Sequence, residues 1–164
     1  MSAVILGIDP GSRYTGFGVF RGEGDQVLHL ASGSIKAGSK PPLGDRLRQI
    51  YDGLAEIIRS HPPQALALEE IFLAANVRSA FVLGQVRGVV LLLAAQRALP
   101  IFHYPPLVVK KAVVGYGQAS KAQVQLMVEQ LFKQQVTDEH AADALAVGLC
   151  HYFHQRWPGG GGSS

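Results

Sequence analysis

The chain opens on an unbroken apolar run, Ala3-Val4-Ile5-Leu6-Gly7-Ile8, which ends on Asp9. A run without alternation marks a strand covered on both faces. Pro10-Gly11-Ser12 reads as a turn, Tyr14 to Phe20 as a second strand, Glu23-Gly24-Asp25 as a further turn, and Gln26 to Ile35 as a third strand. These predict a three-strand meander. The period then changes. Leu43, Leu47, Ile50, Leu54 and Ile57 fall on one face of a helix predicted over Leu43 to Ser60, which His61-Pro62-Pro63 stops. Ala65 to Glu69 is a short strand. From Ser79 to Ala98 the chain is apolar almost all round, as in a helix central to the core or shared between core and subunit interface. Ile101 to Tyr104 is another strand, and Lys121 to Leu131 and His140 to Phe153 close the fold as helices. Strands first, then helix and strand in alternation, predict an α/β sheet with an antiparallel portion. Residues 1–157 are expected to form one domain, and 158–164 a flexible Gly/Ser-rich tail.

Composition adds limits rather than a function. At 164 residues and 48% apolar the chain can bury a real core and is not expected to be disordered. Its single cysteine, Cys150, excludes a disulfide framework and a cysteine-based zinc site, and suits a reducing compartment. Met1-Ser2-Ala3 lacks the basic start of a signal peptide, and the run Val89 to Ala95 is too short to span a bilayer, so a soluble cytoplasmic protein is expected. The net charge of +3 is a weak pointer to nucleic acid. Lys110, Lys111 and Lys121 share the C-terminal half with His140 and Asp143, although solvated surface lysines would look the same.

Candidate chemistry lies in Asp9, Glu69, His140 and Asp143. A charge at the end of a buried strand costs several kcal/mol unless it is paired or holds a metal. Carboxylates ending two apolar strands, with His140 and Asp143 three apart at the head of an apolar helix, therefore suggest a cation site. Each has a plainer reading. Asp9 could cap its own turn, and one of Glu69 and Glu70 must point away from the site, with strand parity alone not saying which. Thr137 and Asp138 serve as N-caps, a role that does not extend to Asp143. Gly11 could admit a phosphate or a metal-bound water to the backbone. Ser120 is a natural N-cap placing Lys121 at a helix start after the mobile segment Gly115-Tyr116-Gly117. Phe72 is either core or a base-stacking aromatic.

Taken in order, these segments resemble the RuvC family of Holliday junction resolvases. The matching stretches are Gly7-Ile8-Asp9-Pro10-Gly11-Ser12 with Thr15-Gly16, Ala67-Leu68-Glu69 with Phe72 and Asn76, and Leu83-Gly84-Gln85-Val86-Arg87-Gly88. They continue through Lys110 with Val113-Val114-Gly115, Lys121 with Gln123-Val124-Gln125, and His140-Ala141-Ala142-Asp143-Ala144-Leu145. The resemblance implies an RNase H-like fold, a five-stranded mixed sheet flanked by helices. It implies an endonuclease that resolves four-way DNA junctions by paired symmetric nicks, in homologous recombination and DNA repair. It places metal-binding carboxylates at Asp9, Glu69 and Asp143, with His140 as fourth ligand or as the group handling the attacking water. It implies two Mg²⁺ per active site, with Mn²⁺ substituting, and catalytic support from Lys121. DNA contacts are implied at Phe72, Arg78, Lys110 and Lys121, and a homodimer interface at Leu83, Val86 and Val90. The RuvA–RuvB branch-migration complex is the implied partner. Two other readings fit less well: an actin-like sugar or acetate kinase needs a second phosphate-binding hairpin, and a non-catalytic junction-binding module would lack the acidic ligands. A related RNase H-like nuclease of ribosomal RNA precursors lies nearer, set apart by Phe72 and the Lys110 to Lys121 segment.

Overall fold

A computed structural model describes residues 2–70 and 76–156. Five strands form one mixed sheet in the order β3-β2-β1-β4-β5, comprising β1 (Ser2–Asp9), β2 (Tyr14–Glu23), β3 (Gln26–Lys36), β4 (Ala65–Glu69) and β5 (Ile101–Tyr104). The first three are the expected antiparallel meander, and β4 and β5 join β1 in parallel. Helices α1 (Leu43–Ser60) and α2 (Val77–Gln96) cover one face, and α3 (Pro106–Val114), α4 (Lys121–Phe132) and α5 (Glu139–Arg156) cover the other. This is the RNase H-like architecture.

Two separate cores follow from strand parity. Ile5, Ala65 and Ala67 pack with α3, α4 and α5, whereas Leu6, Ile8, Leu66 and Leu68 pack with α1 and α2. The α5 side is lined with small residues for a reason. A Cβ on Gly7 would stand 1.9 Å from the carbonyl oxygen of Ala144, and one on Gly16 would stand 2.1 Å from that of His140. These glycines let α5 lie directly on β1 and β2, closer than any side chain would allow. Cys150, on α5, is fully buried, and that burial pushes its thiol up to about 12.

Helix α3 was not expected from the sequence. Its Val-rich run has little amphipathic contrast, but Pro106 sits in the first turn and Gly115, at φ 104°, ends it in the left-handed region. Helix α2 starts two residues earlier than expected because Asn76 accepts hydrogen bonds from the backbone amides of Arg78 and Ser79. It is also the one described helix long and apolar enough to cross a bilayer by length and composition. Val86, Val90, Leu93 and Ala94 nevertheless belong to the core under the sheet. Val86 and Val90 are fully buried within the subunit, which corrects their expected place in a dimer interface. The face that α2 leaves exposed runs instead through Phe81, Leu91 and Leu92. Phe72 and the 158–164 tail lie outside the described residues.

Candidate active site

Three carboxylates meet at one end of the sheet because three elements end or begin there. Strands β1 and β4 run parallel in the register Ile8↔Leu68, so Asp9 and Glu69 occupy the next step on adjacent strand ends. Both follow the parity of the α5 side, Asp9 after Ile5 and Gly7, Glu69 after Ala65 and Ala67. That decides between the two adjacent glutamates. Glu70 takes the opposite parity, where its charge acts on Arg87 and His103. Helix α5, pressed onto Gly7 and Gly16, supplies Asp143 and His140 from its first turns.

The N-terminus of α5 is fixed from β3. Asp138 Oδ1 accepts from the amides of His140 (2.9 Å) and Ala141 (3.2 Å), while Ser34 Oγ donates to Oδ2 at 2.5 Å. Asp138 is thus the expected cap, with a second tether that the sequence did not reveal. His140 Nδ1 stands 3.5 Å from Asp9 Oδ2. The imidazole stacks on Tyr14, with ring centroids 5.3 Å apart and planes inclined by 10°. Tyr14 was not anticipated as part of the site; its one sequence signal is an aromatic directly after the 10–13 turn. Gly11 lies in the turn that follows β1. A Cβ there would meet the carbonyl oxygen of Tyr14 at 2.2 Å, and Thr15 Oγ1 donates to Gly11 O at 2.8 Å, so the glycine closes the turn.

Lys121 begins α4 behind the Ser120–Gln123 capping box. Its Nζ lies 3.2 Å from Asp143 Oδ2 and also bonds Glu139, a partner that no sequence pattern announced. A cavity of about 240 Å³ is lined by Glu69, Asp143, Lys110 and Lys121 together with apolar residues of α3, α4 and α5. A second cavity, about 200 Å³, opens on the α2 side of Asp9 and Glu69 and includes Leu83 and Arg87. Arg78 is exposed in the first turn of α2 and lines neither cavity.

Electrostatics set these carboxylates apart from surface ones. Burial, then the charge of Asp143, raises Asp9 to about 6; His140 and Lys121 pull it back. Burial, then the charges of Asp9 and Asp143, raises Glu69 to about 7. Asp143 is raised by burial against the pull of Lys121. Three acids that resist ionising together, with an imidazole beside them, fit a divalent cation taking hard oxygen ligands, whose charge would offset their repulsion. Among the described residues, no three such side chains stand in ready ligating geometry; Asp9 and Asp143 face His140 and Lys121 instead.

Fold and site together define a nuclease of the RNase H-like class. The family profile described as "Crossover junction endodeoxyribonuclease RuvC" matches residues 5–151. A protein of that name from Shewanella amazonensis is 50% identical over 155 residues, covering 93% of this chain and 89% of its own length. Another from Syntrophotalea carbinolica is 47% identical over 148 residues, covering 90% and 92%. The structure of Thermus thermophilus RuvC in complex with a Holliday junction substrate is similar with a TM-score of 0.90 and 33% identity, over 95% of this chain and 96% of that one. The chain belongs to the RuvC family of crossover junction endodeoxyribonucleases.

Proposed function

We propose that this chain resolves four-way DNA junctions by hydrolysing one phosphodiester bond in each of two opposed strands, in recombination and repair. The observation that carries this reading is the convergence of Asp9, Glu69 and Asp143 from β1, β4 and α5, with Glu69 and Asp143 facing Lys110 and Lys121 across one cavity.

The scissile phosphate enters between the lysines and the carboxylates. A water oxygen attacks phosphorus, the bond to the 3′ oxygen breaks, and that oxygen takes a proton, leaving a ligatable 3′-hydroxyl and 5′-phosphate. His140, set between the Tyr14 ring and Asp9, orients the water and takes up its proton. Lys121, exchanging Glu139 for the phosphate, offsets the charge that builds on the oxygens in the transition state. Asp9 with Asp143, and Asp9 with Glu69, would hold two Mg²⁺, whose charge would acidify a nearby water and offset negative charge on the departing oxygen. Carboxylate and water oxygens suit Mn²⁺ as well, which would replace Mg²⁺ there.

Two copies joined through the exposed apolar face of α2 would present two such sites to opposed strands, matching the two-fold symmetry of the junction. Phe72 is assigned to stacking on a base near the crossover, and Arg78 to a backbone phosphate. The RuvA–RuvB complex would bring the junction, and the cytoplasm would be the setting.

The test is cleavage of a synthetic mobile four-way junction, set against duplex, single-stranded DNA and RNA duplex, in Mg²⁺ or Mn²⁺. Paired, ligatable nicks in the junction alone, abolished by Asp143→Asn, are expected. Cutting of RNA duplex, or tight junction binding without cutting in either metal, would defeat the reading.

A further inference from the structure

We propose that Arg87, on α2, is a positioning residue for Glu69, holding the peptide that carries this carboxylate in the place where it can take up a divalent cation. The inference rests on the metal-dependent reading of the site.

Glu69 is the last residue of β4, and beyond it the strand ladder ends. A strand end is where a backbone swings most freely, yet here it must deliver one carboxylate beside Asp9. The peptide unit linking Glu69 to Glu70 is gripped at both of its polar atoms. Arg87 Nη1 donates to the Glu69 carbonyl oxygen at 2.5 Å, and the Glu70 amide donates to the carbonyl oxygen of Tyr104 at 2.8 Å. The second arm of the guanidinium, Nη2, donates to His103 Nδ1 on β5 at 2.9 Å. One planar fork therefore ties α2, the end of β4 and β5 together.

The chemistry of that fork is unusual for a merely structural arginine. Arg87 is partly buried, and that burial lowers its pKa. No carboxylate stands within ion-pair distance of it among the described residues; Glu70 acts on it only through longer-range charge. A cation drawn from water and bonded to a carbonyl and an imidazole is costly to keep. What it secures is two-point geometry that a lysine could not supply. It also lines the cavity of about 200 Å³ whose wall includes Asp9 and Glu69, so its hold acts at the site itself. Outer groups that orient metal ligands commonly carry about 10- to 100-fold of affinity or activity.

The experiment uses the full chain with Arg87→Met and Arg87→Lys. Mn²⁺ binding is followed by electron paramagnetic resonance without DNA, and single-turnover cleavage of a four-way junction is timed separately from junction affinity. Arg87→Met is expected to weaken Mn²⁺ binding about tenfold and to slow cleavage by at least as much, with junction affinity within about twofold. Added methylguanidinium should restore part of both losses. A purely structural arginine would lower the melting temperature and leave the Mn²⁺ affinity of the folded protein alone; that result overturns the proposal. Should Arg87→Met fail to fold, Arg87→Lys decides in the same way, because it keeps the charge and loses the fork. If the parent protein binds Mn²⁺ but cuts no junction, the substrate assignment fails, while the dependence of Mn²⁺ binding on Arg87 still judges this inference.

Discussion

Asp9, Glu69 and Asp143 weigh on the fold that they serve. Glu69 titrates near 4.5 in an open chain and at about 7 when folded, so the folded protein holds its proton more tightly. The stability it contributes is present below pH 4.5 and is lost as pH rises through 7. At about 1.4 kcal/mol per unit the full shift would correspond to about 3 kcal/mol at alkaline pH, and solvent screening of this partly exposed carboxylate makes the loss smaller. Glu69→Gln should therefore melt at a higher temperature than the parent at pH 8 in chelator, with the gap closing by pH 4, while cleavage is abolished. Mg²⁺ should raise the melting temperature of the parent more than that of the variant. Calorimetry at the two pH values, with and without the metal, checks both statements. Choosing Glu69 over Glu70 was beyond the apolar pattern alone, since alternate strand positions were all apolar. The distinction lay in size: alanines at 65 and 67 face α5, leucines at 66 and 68 face α1 and α2.

The glycine seam under α5 is the element that converts two strand ends and a helix start into a site. Gly7 and Gly16 bring the helix backbone close enough to set Asp143 and His140 beside Asp9. Gly16→Ala would force the backbone at His140 outward, costing about 2 kcal/mol by overpacking. It should also lose most cleavage, because the displaced residue is itself in the site. Denaturant melts alongside junction cleavage measure the two losses, and unchanged activity would remove the seam from the argument. The elements themselves were mostly readable. Helix α1 and strand β4 run between the expected residues, since a change of period and a proline stop leave little latitude. Helix α3 escaped because its faces differ little in polarity, and its signals, Pro106 and Gly115, are ones that turns share. Contacts across the chain escaped altogether: Ser34 to Asp138, Lys121 to Glu139, Tyr14 to His140 and Arg87 to Glu69 join residues that no local pattern relates.

Among the described residues, α2 carries an apolar surface that the core does not use. On α2, Val86 and Val90 turn inward, and Phe81, Leu91 and Leu92 are left outside, the last 55% exposed. If a second copy covers them, Leu92→Asp should yield a monomer by sedimentation that retains its far-ultraviolet circular dichroism. Such a monomer should nick single strands of a junction and lose the coincident second cut. A variant that stays dimeric would move the interface elsewhere.

Cys150 offers a practical opening. It is the only cysteine in the chain, it is sealed on the buried face of α5, and burial raises its pKa to about 12, which keeps the thiol protonated and unreactive at neutral pH. A cysteine introduced at an exposed position on α2 or beside Lys121 would then be the sole group to take a maleimide dye in the native protein. No background substitution would be needed to follow subunit exchange, or the approach of a junction arm, by energy transfer between labelled molecules.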